Sequence, residues 1–191
     1  MSGTQDNPLL CNAEDSVVVI IDIQTRLSSA MPGKILARVK RETGILLIAA
    51  GKLGVPVMAT EQYPQGLGML EGEITGLLPE DTKRYEKTCF SCTGADNFSD
   101  QMKQTGRRQV VLAGMEAHVC VLQTAMELTN SGYQVFVAAD AVCSRHQEDY
   151  ESALQRMNQA GIIVTSTESI LFEWLRDAAH EHFRTLSALI R

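Results

Sequence analysis

The sequence predicts a three-layer α/β fold, in which helices cover both faces of a six-stranded parallel sheet. Five short apolar runs are continuous rather than alternating, which is typical of strands buried on both faces. Stretches with helical spacing separate these runs, and an alternation of strands and helices favours right-handed βαβ units. The predicted strands are residues 16–21, 55–60, 84–88 (the weakest), 108–113, 133–138 and 162–165.

Glycines mark the ends of the predicted helices. A glycine just after a helix adopts the left-handed conformation at little cost and ends it. Four glycines stand shortly before a predicted strand: Gly54, Gly106, Gly132 and Gly161. The stretches before them repeat apolar side chains at helical spacing, most clearly at Tyr150, Ala153, Leu154, Met157 and Ala160. A helix is also predicted over 119–131.

The length and composition favour one globular domain. The chain has 191 residues, of which 45% are hydrophobic and 21% are charged. This is about one domain's length, and the balance is ordinary for a folded protein. No linker divides the chain. We therefore predict a polar N-terminal arm at 1–14 and a single domain at 15–191.

Charge and targeting signals restrict the partners. Seventeen basic and 23 acidic residues leave a net charge of −6, which disfavours nucleic acid and anionic lipid. The N-terminus lacks a signal-peptide pattern, and no apolar run approaches the roughly 20 residues of a membrane span. The sequence therefore predicts a cytoplasmic protein whose main partner is neither nucleic acid nor a membrane.

Five cysteines leave several chemistries open: a disulfide framework, a metal site, a redox pair or a nucleophile. Reduced thiols are the rule in the cytosol, so a disulfide framework is disfavoured. Cys89 and Cys92 have the C-x-x-C spacing of a redox pair, although ordinary packing is the favoured interpretation. Cys143 is predicted in the loop after the fifth strand, and its role stays open.

Three residues stand where predicted strands end, which is where ligands bind in open parallel sheets. Asp22 directly follows the first strand and is a candidate general base, a helix cap or a salt-bridge partner. Cys120 is expected in the first turn of a helix, where the dipole lowers a thiol's pKa; an inert buried cysteine is the alternative. Lys87 is a candidate site residue only if its side chain faces both Asp22 and Cys120.

These residues lie in motifs that resemble the isochorismatase-like cysteine hydrolases. The motifs are Asp22-Ile-Gln24, Lys87-Thr88 and Gly114-x-Glu-x-His-Val-Cys120-Val, and the resemblance extends over roughly 15–185. The most similar branch is that of isochorismatase-domain-containing proteins of unassigned substrate. The resemblance implies a Rossmann-like, six-stranded parallel sheet with helices on both faces.

The resemblance also implies an active site. Matched motif by motif, the family's catalytic triad falls on Asp22, Lys87 and Cys120. A cis peptide would join Met115 to Glu116, and the backbone N–H groups of Glu116 and Cys120 would form the oxyanion hole. The implied reaction is the hydrolysis of a small amide or related acyl compound through a thioester. A catalytically weak binding or scaffold protein is the alternative.

Departures from the family pattern narrow this expectation. Nicotinamidases of the family carry a histidine-containing metal cluster after the second strand, whereas residues 60–68 here contain no histidine. We therefore expect no metal and no cofactor. True isochorismatases lack the cysteine that is present here at Cys120. His118 does not face Cys120 on a helix, because residues i and i+2 point in different directions.

The sequence also predicts residues of the substrate pocket and the assembly state. Residues beside the motifs are expected to line the pocket: Gln24, Leu27, Gln62, Tyr63, Phe90 and Val119. The glycine-rich loop 61–72 is a candidate lid. Family members commonly assemble, so a homo-oligomer is expected. Trp174 is either part of that interface or packed on its own sheet.

Overall fold

A six-stranded, all-parallel sheet forms the centre of the protein and confirms the predicted α/β class. The computed structural model describes residue 7 and residues 9–191. Half of the predicted arm at 1–14, namely residues 1–6 and 8, therefore lies outside the described residues. Within the sheet the strand order is β3-β2-β1-β4-β5-β6. The strands are β1 Ser16–Ile21, β2 Val57–Gln62, β3 Lys83–Lys87, β4 Gln109–Met115, β5 Gln134–Cys143 and β6 Ile163–Thr165.

Helices connect the strands. They are α1 Thr25–Ser28, α2 Gly33–Leu53, α3 Pro64–Leu67, α4 Gly72–Thr75, α5 Phe98–Gln104, α6 Leu122–Asn130, α7 Gln147–Gln159, α8 Thr167–Leu175 and α9 Phe183–Ser187. A π-helical turn, Ala117–Val121, leads directly into α6. Short 3₁₀ turns cover Cys92–Gly94 and Ala188–Ile190. The helix predicted over 119–131 is therefore present, with a π-helical first turn.

Two apolar cores lie on opposite faces of the sheet. Successive residues of β1 alternate between them, because side chains point to opposite faces along a strand. Val18 and Ile20 face α2 and α8, whereas Val17, Val19 and Ile21 face α5, α6 and α7. All of these valine and isoleucine side chains are fully buried. The two-sided burial explains why the strand runs are continuously apolar.

Several strands end later than the sequence predicts. Strand β2 runs to Gln62 rather than 60, and β5 runs to Cys143 rather than 138. Cys143 is therefore the last residue of a strand and not a loop residue, which corrects the expectation. Strand β5 contains an irregularity opposite Leu112–Gly114, where the register with β4 shifts. An irregular strand with polar residues lacks the continuous apolar pattern on which the prediction depends.

The segment before β1 and the C-terminal helices pack onto the same edge of the domain. Cys11 is fully buried, and its N–H donates to Glu173 at 2.7 Å. Trp174 is 4% exposed, and its indole N–H donates to Ser16 at 3.1 Å. Trp174 therefore packs on its own sheet. Across the described residues, no helix is long and apolar enough to cross a membrane.

Candidate active site

Three strands bring Asp22, Lys87 and Cys120 together at the carboxyl edge of the sheet. Asp22 follows β1, Lys87 is the last residue of β3, and Cys120 lies in the π-helical turn after β4. The Lys87 ammonium nitrogen is 2.7 Å from Asp22 Oδ2, and the Cys120 thiol lies near enough to the same carboxylate for its charge to raise the thiol's pKa. The site is therefore a lysine–carboxylate–thiol cluster.

The backbone at Asp22 turns sharply out of the strand. Its φ of 52° lies in the left-handed region, which aspartate tolerates better than most residues. Its N–H still bonds to the Thr60 carbonyl at 3.2 Å, so the residue leaves the sheet only after its last ladder contact. Strands β1 and β4 pack closely at this point: a Cβ atom at position 114 would lie 2.0 Å from the Ile21 carbonyl oxygen. Glycine at 114 lets β4 approach β1 at the site.

Both oxygens of the buried Asp22 carboxylate accept hydrogen bonds. The Thr60 hydroxyl donates to Oδ1 at 2.7 Å, and Lys87 donates to Oδ2 at 2.7 Å. Asp22 is fully buried, and a buried carboxylate is stable only where such donors replace water. The carboxylate is thus held in one orientation beside the thiol.

Lys87 is buried among oxygen acceptors. Its ammonium donates to Gln62 Oε1 at 2.7 Å and to the Phe90 carbonyl at 3.0 Å, in addition to Asp22. Gln62 is the residue paired with Lys87 across strands β2 and β3, which places the two side chains together. Burial alone lowers the pKa of Lys87, but Asp22 and the nearby thiols outweigh it and raise the pKa above its ordinary value. Lys87 is therefore cationic at neutral pH.

Cys120 is a protonated thiol in this resting arrangement. Burial raises its pKa well above the usual range, and the negative charge of Asp22 raises it further, while Lys87 lowers it. The sequence predicted the opposite direction, from the helix dipole and the lysine. That expectation was wrong because desolvation and the adjacent carboxylate outweigh both. The residue is 6% exposed, so the site stays connected to solvent.

The peptide bond between Met115 and Glu116 is cis, as the resemblance implied. Within the described part of the chain, the Glu116 N–H makes no hydrogen bond. The Glu116 carbonyl accepts from Val119 and Val121, and its carboxylate accepts from Arg145 Nε at 3.0 Å. Glu116 is thus fixed by its side chain and its carbonyl.

Gln24 and Leu27, predicted to line the pocket, have structural contacts. Gln24 is fully buried, and its amide donates to the carbonyls of Gln62 and Gly68 at 3.0 and 2.5 Å. Leu27 packs against the core on the α2 side. The candidate lid is fastened by Gln24 and also by Glu61, whose carboxylate accepts from the Leu70 N–H at 2.7 Å.

Other predicted pocket residues lie nearer to open space. A cavity of about 310 Å³ opens beside Lys87 and is lined in part by Tyr63 and Cys89. Tyr63 is 54% exposed and Phe90 is 53% exposed. Val119 is half-buried and packs against the core on the α6 side. Tyr63 is therefore a predicted pocket residue that lines this cavity, whereas Phe90 is exposed but is not among its lining residues.

Among the described residues, no hydrogen bond joins the side chain of another cysteine or of His118 directly to Asp22, Lys87 or Cys120, although the Cys89 carbonyl accepts from Lys87 at 3.5 Å. All five cysteines are free. Cys89 is exposed, whereas Cys92 is fully buried and lies 3.6 Å from the Thr60 hydroxyl. Burial and the charge of Asp22 raise the pKa of Cys92 to about 12. His118 Nδ1 is 2.9 Å from the Ser144 hydroxyl, a contact that agrees with its structural interpretation.

Thr60 is the site residue that sequence reasoning missed. Its hydroxyl holds Asp22, yet the sequence shows it only as a polar residue at the end of an apolar run. Gln62 was named as a pocket residue, whereas in the structure its amide oxygen also contacts Lys87. The sequence predicted that β2 ends at residue 60, two residues before its actual end at Gln62. Gln62 was therefore placed in the loop, and the contacts of Thr60 and Gln62 with the two charges were concealed.

The fold and site define an α/β protein with a lysine–carboxylate–thiol cluster at the carboxyl edge of a parallel sheet. The family model for the isochorismatase domain matches residues 16–169, so the chain belongs to the isochorismatase family. Isochorismatase family protein 1B of Dictyostelium discoideum is 35% identical over 178 residues, covering 91% of this chain and 84% of the relative.

Two solved structures show the same architecture. One is described as the MAR1 ribonuclease from Caenorhabditis elegans, with a TM-score of 0.89, 34% identity and coverage of 95% of this chain and 92% of that chain. The other is the YcaC gene product from Escherichia coli, described as an octameric hydrolase of unknown specificity. Its TM-score is 0.87 at 25% identity, and the match covers 95% of this chain and 89% of that chain.

Proposed function

We propose that this protein is a metal-independent cysteine hydrolase that cleaves a small amide or related acyl substrate through Cys120, Asp22 and Lys87. The observation that carries the proposal is the buried Asp22 carboxylate, which accepts a hydrogen bond from the Lys87 ammonium and acts electrostatically on the nearby Cys120 thiol. A nucleophile beside a base, with the base oriented by a third group, is the arrangement that covalent catalysis requires.

In the proposed first step, Asp22 takes the thiol proton as Cys120 sulfur attacks the substrate carbonyl. A carbon–sulfur bond forms, and the carbonyl electrons move to oxygen. The free N–H of Glu116 and the N–H of Cys120 are proposed to stabilise that oxyanion. Removing one such donor costs about 2.7–4 kcal/mol of transition-state stabilisation in comparable sites. Lys87 stays protonated and offsets the negative charge.

Collapse of the intermediate breaks the carbon–nitrogen bond. The leaving amine receives the proton from Asp22, and a thioester on Cys120 remains. Water then attacks the thioester, with Asp22 again accepting a proton. The sulfur leaves as the thiolate and regains that proton, which restores the resting thiol. The high pKa of the resting thiol fits this cycle, because the proton leaves only as the carbon–sulfur bond forms.

A turnover panel tests the proposal. Amides, carbamoyl compounds and esters are screened with the wild-type protein and with Cys120→Ala, and intact-mass spectrometry detects the acyl-enzyme. Cys89→Ala is the matched control, since Cys89 is an exposed cysteine. We expect turnover and a covalent adduct in the wild type and in Cys89→Ala, and neither in Cys120→Ala. Turnover that survives in Cys120→Ala contradicts the proposal.

Turnover with and without added metal tests whether the reaction is metal-independent. Among the described residues, no group of three or more His, Cys, Asp or Glu side chains is arranged to hold a metal ion. We expect turnover to be unchanged after dialysis against EDTA and after addition of Zn²⁺ or Mn²⁺. Loss on dialysis with recovery on adding one metal would reject a metal-independent reaction.

Two other functions are outcomes of the same panel. The name of the C. elegans relative raises RNA cleavage, so an RNA oligonucleotide is included; the net charge of −6 argues against it. A binding or scaffold protein is indicated if no substrate turns over while a partner binds equally to Cys120→Ala. We propose in addition a cytoplasmic location and self-assembly, as in the octameric E. coli relative. Light scattering of the purified protein measures the assembly state.

A further inference from the structure

A second cavity lies at the carboxyl end of β5, between the starts of α2 and α7. Its volume is about 410 Å³, within the rough range of 300–1,000 Å³ for small-molecule pockets. None of Asp22, Lys87 or Cys120 is among its lining residues, which are Pro32, Ile35, Arg38, Cys143, Ser144, Arg145, Gln147 and Tyr150. Cys143 belongs to the core on the α2 face, whereas Cys120 belongs to the opposite core. The cavity is therefore separate from the candidate active site.

Arg38 brings a half-buried, incompletely paired cation to this cavity. Its Nε is buried and has no hydrogen-bond partner within the described residues. Its Nη2 donates to the Val142 carbonyl at 3.3 Å, and its guanidinium lies beside the Tyr150 side chain, with Cζ 5.9 Å from the ring centre. Over the same residues it forms no salt bridge. A guanidinium is always charged in proteins, so this buried N–H lacks the acceptor it requires.

Arg145 adds a second guanidinium to the wall. Its Nε donates to Glu116 Oε1 at 3.0 Å, and its side chain is 53% exposed. Its two terminal nitrogens make no hydrogen bond within the described part of the chain, and a terminal pair of this kind binds carboxylate or phosphate oxygens well. Neither nearby carboxylate serves Arg38, because Glu116 binds Arg145 and Asp140 accepts from Thr167. The cavity wall itself carries two arginines and no acidic residue.

We propose that this cavity binds a small oxyanion, a carboxylate or a phosphate group, between Arg38 and Arg145. The oxygens of such a group supply the acceptor that Arg38 Nε lacks, and they accept from the terminal nitrogens of Arg145, whose Nε already pairs with Glu116. The lining residues also include the polar Ser144 and Gln147 and the apolar Pro32 and Ile35. The site thus suits a small anion that also carries an apolar part.

Calorimetry tests the site with two probes, inorganic phosphate and acetate, at constant ionic strength in sodium chloride. We expect saturable binding of at least one probe by the wild-type protein, weakened about tenfold or more in Arg38→Gln. Lys52→Gln is the matched control, because Lys52 is an exposed cation near the end of the same helix. It is expected to bind like the wild type. Tighter binding of phosphate indicates a phosphate ester as the ligand, and tighter binding of acetate indicates a carboxylate.

Two outcomes overturn the proposal: no saturable binding of either probe, or equal affinity in Arg38→Gln and the wild type. Circular dichroism shows whether Arg38→Gln is folded. If it is not, Arg38→Lys replaces it, since it keeps the charge and the aliphatic stem but loses Nε. The lysine variant is expected to bind several-fold more weakly than the wild type, and unchanged affinity there contradicts the role of Nε. The outcome is independent of whether Cys120 is a nucleophile, because no step of the assay requires turnover.

Discussion

The Lys87 ammonium lies 2.7 Å from the Asp22 carboxylate, and neither side chain is exposed. This ion pair joins the ends of β3 and β1, which are not neighbours in the sheet, because β2 runs between them. Strand β2 supplies a partner to each charge: Thr60 to Asp22 and Gln62 to Lys87. Each member of the ion pair therefore has a further hydrogen-bond partner on β2. The Cys120 thiol is the third group beside the Asp22 carboxylate, after Lys87 and Thr60.

Removal of the Asp22 charge is predicted to make Cys120 more reactive towards iodoacetamide. The carboxylate raises the pKa of the thiol, so Asp22→Asn lowers that pKa while Lys87 stays in place to stabilise the thiolate. Each unit of pKa is about a tenfold change in thiolate fraction while the thiol is mostly protonated. Mass spectrometry of Cys120 labelling at pH 7.5 measures the rate.

The matched control for that experiment is Asp100→Asn, whose carboxylate is 72% exposed. It is expected to label like the wild type. Slower labelling of Cys120 in Asp22→Asn would mean that Asp22 promotes thiol ionisation in the free protein, contrary to the direction of the pKa shift. Amide turnover is expected to be lost in Asp22→Asn even as labelling rises, since the proton acceptor is gone.

Removing one charge of the Lys87–Asp22 pair is predicted to reduce stability more than removing both charges. Lys87→Met leaves a buried carboxylate without its counter-ion, and such a loss costs about 3–5 kcal/mol. The double variant Lys87→Met with Asp22→Asn removes both charges and is expected to recover much of that stability. Urea unfolding of the wild type, both single variants and the double variant completes the cycle. Additive single losses in the double variant contradict a direct coupling.

The Thr60 hydroxyl is predicted to stabilise and orient Asp22. Thr60→Val keeps the shape but removes the donor to Asp22 Oδ1, leaving a buried acceptor short of a partner, at a cost of about 1–3 kcal/mol. Thr60→Ser keeps the hydroxyl and is the rescue control. We expect lower stability and a lower kcat in Thr60→Val, with kcat largely retained in Thr60→Ser. Equal kcat in both variants contradicts an orienting role, because both change the side chain.

Buried thiols are predicted to make the protein less stable in alkaline solution. Burial raises the pKa of Cys92 and of Cys143 to about 12. An ordinary thiol ionises near pH 8.5, so above about that pH the unfolded chain loses thiol protons that the folded chain keeps. The folded state then binds more protons, and the free energy of unfolding falls as pH rises towards 12.

Urea unfolding at pH 8.5 and pH 10 measures this loss. One fully shifted thiol contributes about 2 kcal/mol over that interval, at about 1.4 kcal/mol per pH unit. Cys143→Ala is expected to reduce the loss by about that amount. Cys89→Ala is the control, since it removes an exposed thiol. Stability that is equal at the two pH values, or a loss unaffected by Cys143→Ala, contradicts the prediction.

The sequence by itself determined the number and type of the central elements. Strands covered by helices on both faces must be apolar throughout, so β1 and β4 are visible as runs without any structural information. The sequence also predicts the left-handed backbone at Gly54 and Gly161, because each glycine stands where a helix must end before the next strand begins. Asp22, Lys87 and Cys120 were found from their positions at strand ends together with the family resemblance.

Only the tertiary structure decided how these residues act on one another. The strand order places β2 between β3 and β1, so Thr60 and Gln62 become partners of charges that are distant along the chain. The direction of the Cys120 pKa shift depends on burial and on the carboxylate beside the thiol, and neither is visible in the local helix pattern. Likewise, the unpaired Nε of Arg38 exists only because α2 packs beside the end of β5. Local sequence specifies which elements form, whereas desolvation and charge act through space and depend on which elements become neighbours.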